Sequence, residues 1–115
     1  MARPLRIEYP GAFYHVMNRG LEYRKIYRDK KDSEKFLHIF LKAKHKYAVK
    51  LHAYCLMPNH YHLLVETPEG RLNQAMRHLD GVYTQYFNRQ NKRVGPLLQG
   101  GTKLSSWMRT VMSWR

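Results

Sequence analysis

The chain has one cysteine, Cys55, among its 115 residues, so no intrachain disulfide can staple it. Acidic side chains are scarce too: 8 Asp and Glu face 21 Lys and Arg, a formal net charge of +13. Such an excess speaks of partners rather than of fold. A nucleic acid and an anionic membrane surface are the two that fit. No run approaches the roughly 18 apolar residues of a membrane span. Arg3, Arg6 and Glu8 interrupt any leader-like stretch at the start. Internal repeats and low-complexity tracts are missing as well. What remains is one domain's length, with a hydrophobic fraction of 43% to build a core. Together these features predict a cytoplasmic, nucleic-acid-facing protein with no membrane association, nucleoid-associated if bacterial.

Phe13 to Met17 is aromatic and β-branched, bounded by Pro10-Gly11 and Gly20, and reads as a strand. Asp32 or Ser33 can cap a helix reaching about Tyr47, with Phe36, Leu37, Phe40, Leu41 and Lys44 at helical spacing. Lys50 to Met57 reads as a second strand, Pro58-Asn59 as a turn, and His60 to Thr67 as a third strand. Leu72 to Arg89 carries an apolar stripe of Leu72, Met76, Leu79, Val82, Tyr83 and Tyr86, the mark of a second helix. Leu97-Leu98 offers the start of a fourth strand. The order β-α-β-β-α-(β) predicts an α+β, ferredoxin-like (RRM-like) antiparallel sheet with helices on one face, incomplete at the C-terminus. That topology puts the first and third strands side by side at the centre.

The third strand opens with the string Met57-Pro58-Asn59-His60-Tyr61-His62. Side chains alternate faces along a strand, so His60 and His62 project together while Tyr61 points away. Two imidazoles side by side are half a shell for a divalent cation. For a bare pair, however, two hydrogen-bonded sheet histidines without a metal are the ordinary reading. A two-residue hairpin at Pro58-Asn59 would set Cys55 opposite His62, as a buried filler or a soft ligand. Glu66 shares the histidine face, either as a surface carboxylate or as an acceptor for an imidazole N–H. His15 lies on the neighbouring strand, its face unassigned.

The string MPNHYHLLVE, preceded by LHAYCL, resembles the HUH region of single-tyrosine transposases, the small insertion-sequence and REP-associated enzymes. Tyr61 fills the bulky middle position of that motif. RPLRIEYPGAFYHVMNRG resembles the family's first strand with its flanks, and MRHLDGVYTQYFNRQNKRVGPLLQG its second helix and following loop. The resemblance implies cutting and rejoining of single-stranded or hairpin DNA. His60 and His62 would bind Mg²⁺ or Mn²⁺, a Lewis acid on the scissile phosphate. A tyrosine hydroxyl would attack, leaving a 5′-phosphotyrosine and a free 3′-OH. The family's nucleophile lies on a later helix in a segment like RYIHLNP, which this sequence does not contain. Tyr83 and Tyr86 are the weak candidates left, and the second helix's stripe assigns both to packing.

Basic residues cluster in three places: Arg3 and Arg6; Arg19, Arg24, Lys25 and Arg28; and Arg89, Lys92 and Arg93. Tyr9, Tyr23 and Tyr27 interleave with the first two groups, a mixture that suits single strands. Asn18-Arg19-Gly20 resembles a family motif near the active site, which adds Asn18 to the expected DNA contacts. The lysines on or near the first helix (Lys30, Lys31, Lys35, Lys42, Lys44, Lys46) read as a solvated face. The RRM aromatic pattern is missing, which argues against an RNA-binding sheet.

Residues 1–100 read as one truncated transposase domain, and the likeness stops at Gly100. One permitted codon set for residues 101–115, read one base earlier, spells RYKAILVDEDSYELE, which resembles the family's next strand and helix start. A frameshifted tail is therefore expected, with loss of the nucleophile half and an exposed sheet edge open to homodimerisation. Sequencing the gene tests this: bases after Gly100 that cannot be reframed into a tyrosine-bearing helix would refute it.

Overall fold

Three strands and two helices account for most of the chain, with a short fourth strand beside the first. The structure is a computed structural model and describes residues 12–99 and 108–112. In chain order the elements are β1 (Ala12–Arg19), a 3-10 turn (Leu21–Tyr23), α1 (Lys30–Lys46), β2 (Lys50–Met57), β3 (His60–Thr67), α2 (Leu72–Asn91) and β4 (Met108–Met112). The sheet runs β2-β3-β1-β4 with every pair antiparallel. This is the predicted ferredoxin-like arrangement, with β1 and β3 central.

Alternation fixes the two faces of the sheet. On β3, Tyr61, Leu63, Val65 and Thr67 are buried while His60, His62, Leu64 and Glu66 are half-buried. On β1, Tyr14, Val16 and Asn18 are buried, and Phe13, His15, Met17 and Arg19 face the other way. Both helices cover the first face. α1 contributes Phe36, Ile39, Phe40 and Ala43, and α2 contributes Leu72, Ala75, Met76, Leu79, Tyr83 and Phe87. Phe36 sits at the centre, with ring centroids 5.4 Å from Tyr27, 4.9 Å from Tyr61 and 5.3 Å from Tyr83.

Three details differ from the sequence reading. Asp29, not Asp32 or Ser33, caps α1, its carboxylate accepting from the Asp32 N–H at 3.1 Å. Asp32 is instead buried, accepting from the Arg28 backbone N–H at 3.0 Å and the Tyr86 hydroxyl at 2.9 Å. On α1's stripe Ile39 and Ala43 take the buried places, and Leu41 is left 52% exposed. Leu97 and Leu98 are fully buried but form only a single bridge, Leu98 to Gly20. The fourth strand lies further on, inside the tail, with Phe13 to Met17 of β1 paired to Met112 back to Met108. It has 5 residues against 8 in each of the other strands. The periodicity of the tail was too weak to show it, because an edge strand needs little apolar alternation of its own.

Phe36→Ala should cost about 3–5 kcal/mol, the range for emptying a buried aromatic site. Urea unfolding followed by circular dichroism measures this, and a loss below 1 kcal/mol would place the core elsewhere.

Candidate functional site

His60 and His62 project from the helix-free face of β3, with ring centroids 5.0 Å apart and planes at 82°. The neighbouring strand adds a third imidazole. His15 Nε2 lies 2.9 Å from His62 Nδ1, and the two rings stack nearly parallel at 5.1 Å. Asn59 Oδ1 sits 2.8 Å from His60 Nδ1. Asn59 Oδ1 can only accept, so His60 Nδ1 carries the proton and its Nε2 keeps the lone pair; His62 Nε2 has one where its Nδ1 donates to His15. Burial, then the adjacent His15 and His60, hold the His62 imidazole below its ordinary value of 6.5, so it is neutral near pH 7 and has a lone pair to offer. Among the described residues no group of three or more His, Cys, Asp or Glu converges on one cation position. The pair offers two imidazole donors, of the chemistry a divalent cation takes, and no third protein ligand of those types.

The reverse side of the same strand is anchored to the helix layer. Tyr61 is fully buried and donates its hydroxyl to Asp80 Oδ1 on α2 at 2.7 Å. Burial, then the Asp80 carboxylate, push the Tyr61 phenol well above its ordinary range and keep it a neutral donor. Asn18 Nδ2 on β1 donates to the other Asp80 oxygen at 3.3 Å, while Asn18 Oδ1 accepts from the Arg19 N–H at 2.8 Å. One carboxylate thus joins α2 to both central strands directly behind the histidines. Asn18 was expected among the DNA contacts, and the structure corrects that: at 3% exposure it is a core bracket. Gly20 completes the motif. A Cβ there would lie 2.1 Å from the Arg24 carbonyl oxygen, so no side chain fits.

After Gly20 the chain makes a tight, strained loop. Glu22 (φ 55°) and Tyr23 (φ 60°) are consecutive left-handed residues without being glycine, a cost of about 1–3 kcal/mol each. Backbone bonds from all sides hold it. Gly20 N–H donates to Asn59 O at 2.9 Å, Leu21 N–H to Leu97 O at 2.9 Å, and Ile26 N–H to Pro58 O at 2.7 Å. The loop, the β2–β3 turn and the segment after α2 therefore meet at the His60 end of the sheet.

Two of the three basic clusters meet there too. Arg24, Lys25, Arg28, Arg89 and Lys92 are exposed. Arg28 donates to Asn91 Oδ1, tying the loop to the end of α2. Arg93 is half-buried, donating to Asn88 Oδ1 at 2.6 Å and Pro96 O at 3.2 Å; burial, then Arg24 nearby, lower its pKa. Arg19 is directly opposite His60 in the β1–β3 register, on the histidine face. Arg3, Arg6 and Tyr9 lie outside the described residues.

Other expectations need correction. Tyr27 is 6% exposed and packs in the core, so it is no stacking platform. Tyr83 is fully buried with its hydroxyl donating to Ile26 O, and burial raises its phenol far out of reach. Tyr86 donates to Asp32, and burial, then that carboxylate, push it up to about 12. Both weak nucleophile candidates stand in the helix layer, with the sheet between them and His60 and His62. Cys55 does pair with His62 across β2–β3, but it is exposed rather than a buried filler. Glu66 approaches His52 at 3.0 Å and neither histidine of the pair. Asp80 was missed, although it had a signal, a carboxylate inside the apolar stripe of α2. His15, whose face the sequence left unassigned, lies on the histidine face.

The family model for IS200-like transposases matches residues 9–109, running on past Gly100. This chain belongs to that family. No curated protein matches it. Among solved structures, a REP-associated tyrosine transposase bound to a REP hairpin superposes with a TM-score of 0.75 at 14% identity, over 100% of this chain and 64% of that one. A candidate transposase from Deinococcus radiodurans superposes at 0.64 with 17% identity, over 98% and 87%. At such identities the likeness establishes the fold. The chain spans just under two thirds of the REP-associated structure's length. No helix among the described residues of this chain is long and apolar enough to cross a membrane.

Asp80→Ala strands the Tyr61 hydroxyl and the Asn18 amide in the core, and should cost about 3 kcal/mol. Tyr61→Phe removes one donor and should cost about 1 kcal/mol. Urea denaturation ranks the two variants; equal or reversed losses would show that Asp80 does not join the layers.

Proposed function

We propose that this transposase binds single-stranded or hairpin DNA and serves metal-assisted strand cleavage and rejoining through a phosphotyrosine. The observation that carries the reading is the pair of half-buried imidazoles, His60 and His62, side by side on the face of β3 turned away from the two helices, with Arg19 opposite His60 on β1. His60 and His62 would hold Mg²⁺ or Mn²⁺, which supplies Lewis-acid polarisation of a phosphate oxygen when bound. Arg19, Arg24, Lys25, Arg28, Arg89 and Lys92 would receive the DNA backbone around that point. His15 and Asn59 orient the imidazoles, and the Tyr61–Asp80 bond keeps the strand beneath them fixed. In cleavage a tyrosine oxygen forms the new bond to phosphorus and the 3′ oxygen leaves; the reverse step rejoins the strand.

A second reading is DNA binding without catalysis, by a remnant of the family. The placement of Tyr83 and Tyr86 behind the sheet, with both hydroxyls engaged, favours it. One experiment separates the two. The protein is incubated with hairpin DNA carrying single-stranded flanks and Mn²⁺, then resolved on a denaturing gel. A covalent adduct supports the first reading, and His60→Ala or His62→Ala should reduce it by about 10²-fold or more while binding changes little. Binding without adduct selects the second reading, and cleavage without adduct indicates a metal-dependent hydrolase. Binding should weaken steeply as salt rises; a flat salt profile would refute a phosphate-contacting surface.

A further inference from the structure

Tyr23 is 65% exposed. The Arg19 guanidinium lies over its ring, 4.3 Å from the centroid. No other ring or cation covers Tyr23 among the described residues. Arg19 Nε is buried and without a hydrogen-bond partner there, and the stacking contact on Tyr23 is the guanidinium's described interaction. Its strand position is directly opposite His60, and side chains so paired are immediate neighbours on a sheet face. His60, Arg19 and Tyr23 therefore form a continuous row running outward from the histidine pair.

Several constraints hold the row in place. Tyr23 N–H donates to Gly20 O at 3.1 Å and Arg24 N–H to Leu21 O at 2.9 Å, closing the turn around its left-handed residues. Gly20, which admits no Cβ, lets the loop double back against Arg24 and Ile26. Buried Ile26 and the Pro58 carbonyl fix its far side. An exposed aromatic in a costly backbone conformation, backed by a cation and flanked by Arg24 and Lys25, has the chemistry of a stacking surface for a base with a charged track for its phosphate. A duplex keeps its bases stacked on one another, so such a surface takes an unpaired base.

We infer that Tyr23, backed by Arg19, is a stacking site for one unpaired nucleobase next to the phosphate held at His60 and His62. This rests on the DNA-binding reading above and names a subsite within it. The site sorts substrates by strandedness beside the cut, and holds the flanking nucleotide so that the neighbouring phosphate stays in register with the histidines. Stacking is indifferent to base identity, so the site selects a base over none more than one base over another.

The test uses the full chain and a fluorescein-labelled DNA hairpin with a short single-stranded flank, followed by anisotropy. Abasic residues are placed along the flank one position at a time. In the unaltered protein one position should be sensitive, its abasic form binding about tenfold more weakly. Tyr23→Ala should weaken binding of the intact flank by a similar factor and abolish the sensitivity at that position alone, while Tyr23→Trp keeps it. A purely structural role for Tyr23 would weaken every flank equally and leave the abasic pattern intact. That result, or unchanged binding in Tyr23→Ala, overturns the inference while leaving DNA binding standing. If the unaltered protein binds no hairpin at all, the DNA-binding reading falls and the subsite with it.

Discussion

The architecture depends on one buried carboxylate. Asp80 sits in the apolar stripe of α2 yet takes the Tyr61 hydroxyl from β3 and the Asn18 amide from β1. Burying a carboxylate is costly unless donors replace water, and a helix packed over two central strands is where such donors can be supplied. The result is directional, unlike hydrophobic packing, which tolerates small slides of a helix over a sheet. A slide of α2 would break both bonds together, and a one-residue slip of β3 would carry Tyr61 to the wrong face. The bland-looking middle residue of the His-Tyr-His string is thus the one that specifies where the two histidines point.

The sheet's two faces divide the labour. The covered face holds nearly all the large buried side chains and accounts for stability. The other carries His15, His60, His62, Arg19 and Cys55 with no helix over them, and there burial is partial. The proposed function needs a surface that nucleic acid can reach, and the two described helices leave this face uncovered by packing on the other. Arg24, Arg28 and Arg89, all exposed, gather at one end, where the loop after β1 and the segment after α2 are tied together.

Much of this was legible in the sequence. Strict alternation around His60-Tyr61-His62 fixed the face of the pair, and the β-α-β-β-α order fixed β1 and β3 as neighbours. Both signals are strong because β3 is central and half-buried, so its pattern is enforced from both sides. Legibility failed where partners were far apart in the chain. Asn18 looked like a polar contact residue because nothing nearby hinted that Asp80 would bury it. Tyr27 and Tyr23 looked equivalent, four residues apart in a basic stretch, and only the tight turn at Gly20 sends one inward and the other out. The fourth strand was misplaced because Leu97-Leu98 has the apolarity of a strand, whereas Met108–Met112 has the pairing.

The Pro58 carbonyl accepts from both the Ile26 and Tyr27 N–H groups, at 2.7 and 3.3 Å. At the other end of the β2–β3 hairpin the register is irregular, shifting between Leu51 and Ala53. The hairpin is thus stitched at its turn and loose at its open end, the reverse of an isolated hairpin whose turn protrudes into solvent. Thermal fraying of this pair should therefore have a polarity, beginning near Leu51 and Glu66 and reaching His60 last. Amides beside the two imidazoles should then exchange more slowly than those near Leu51.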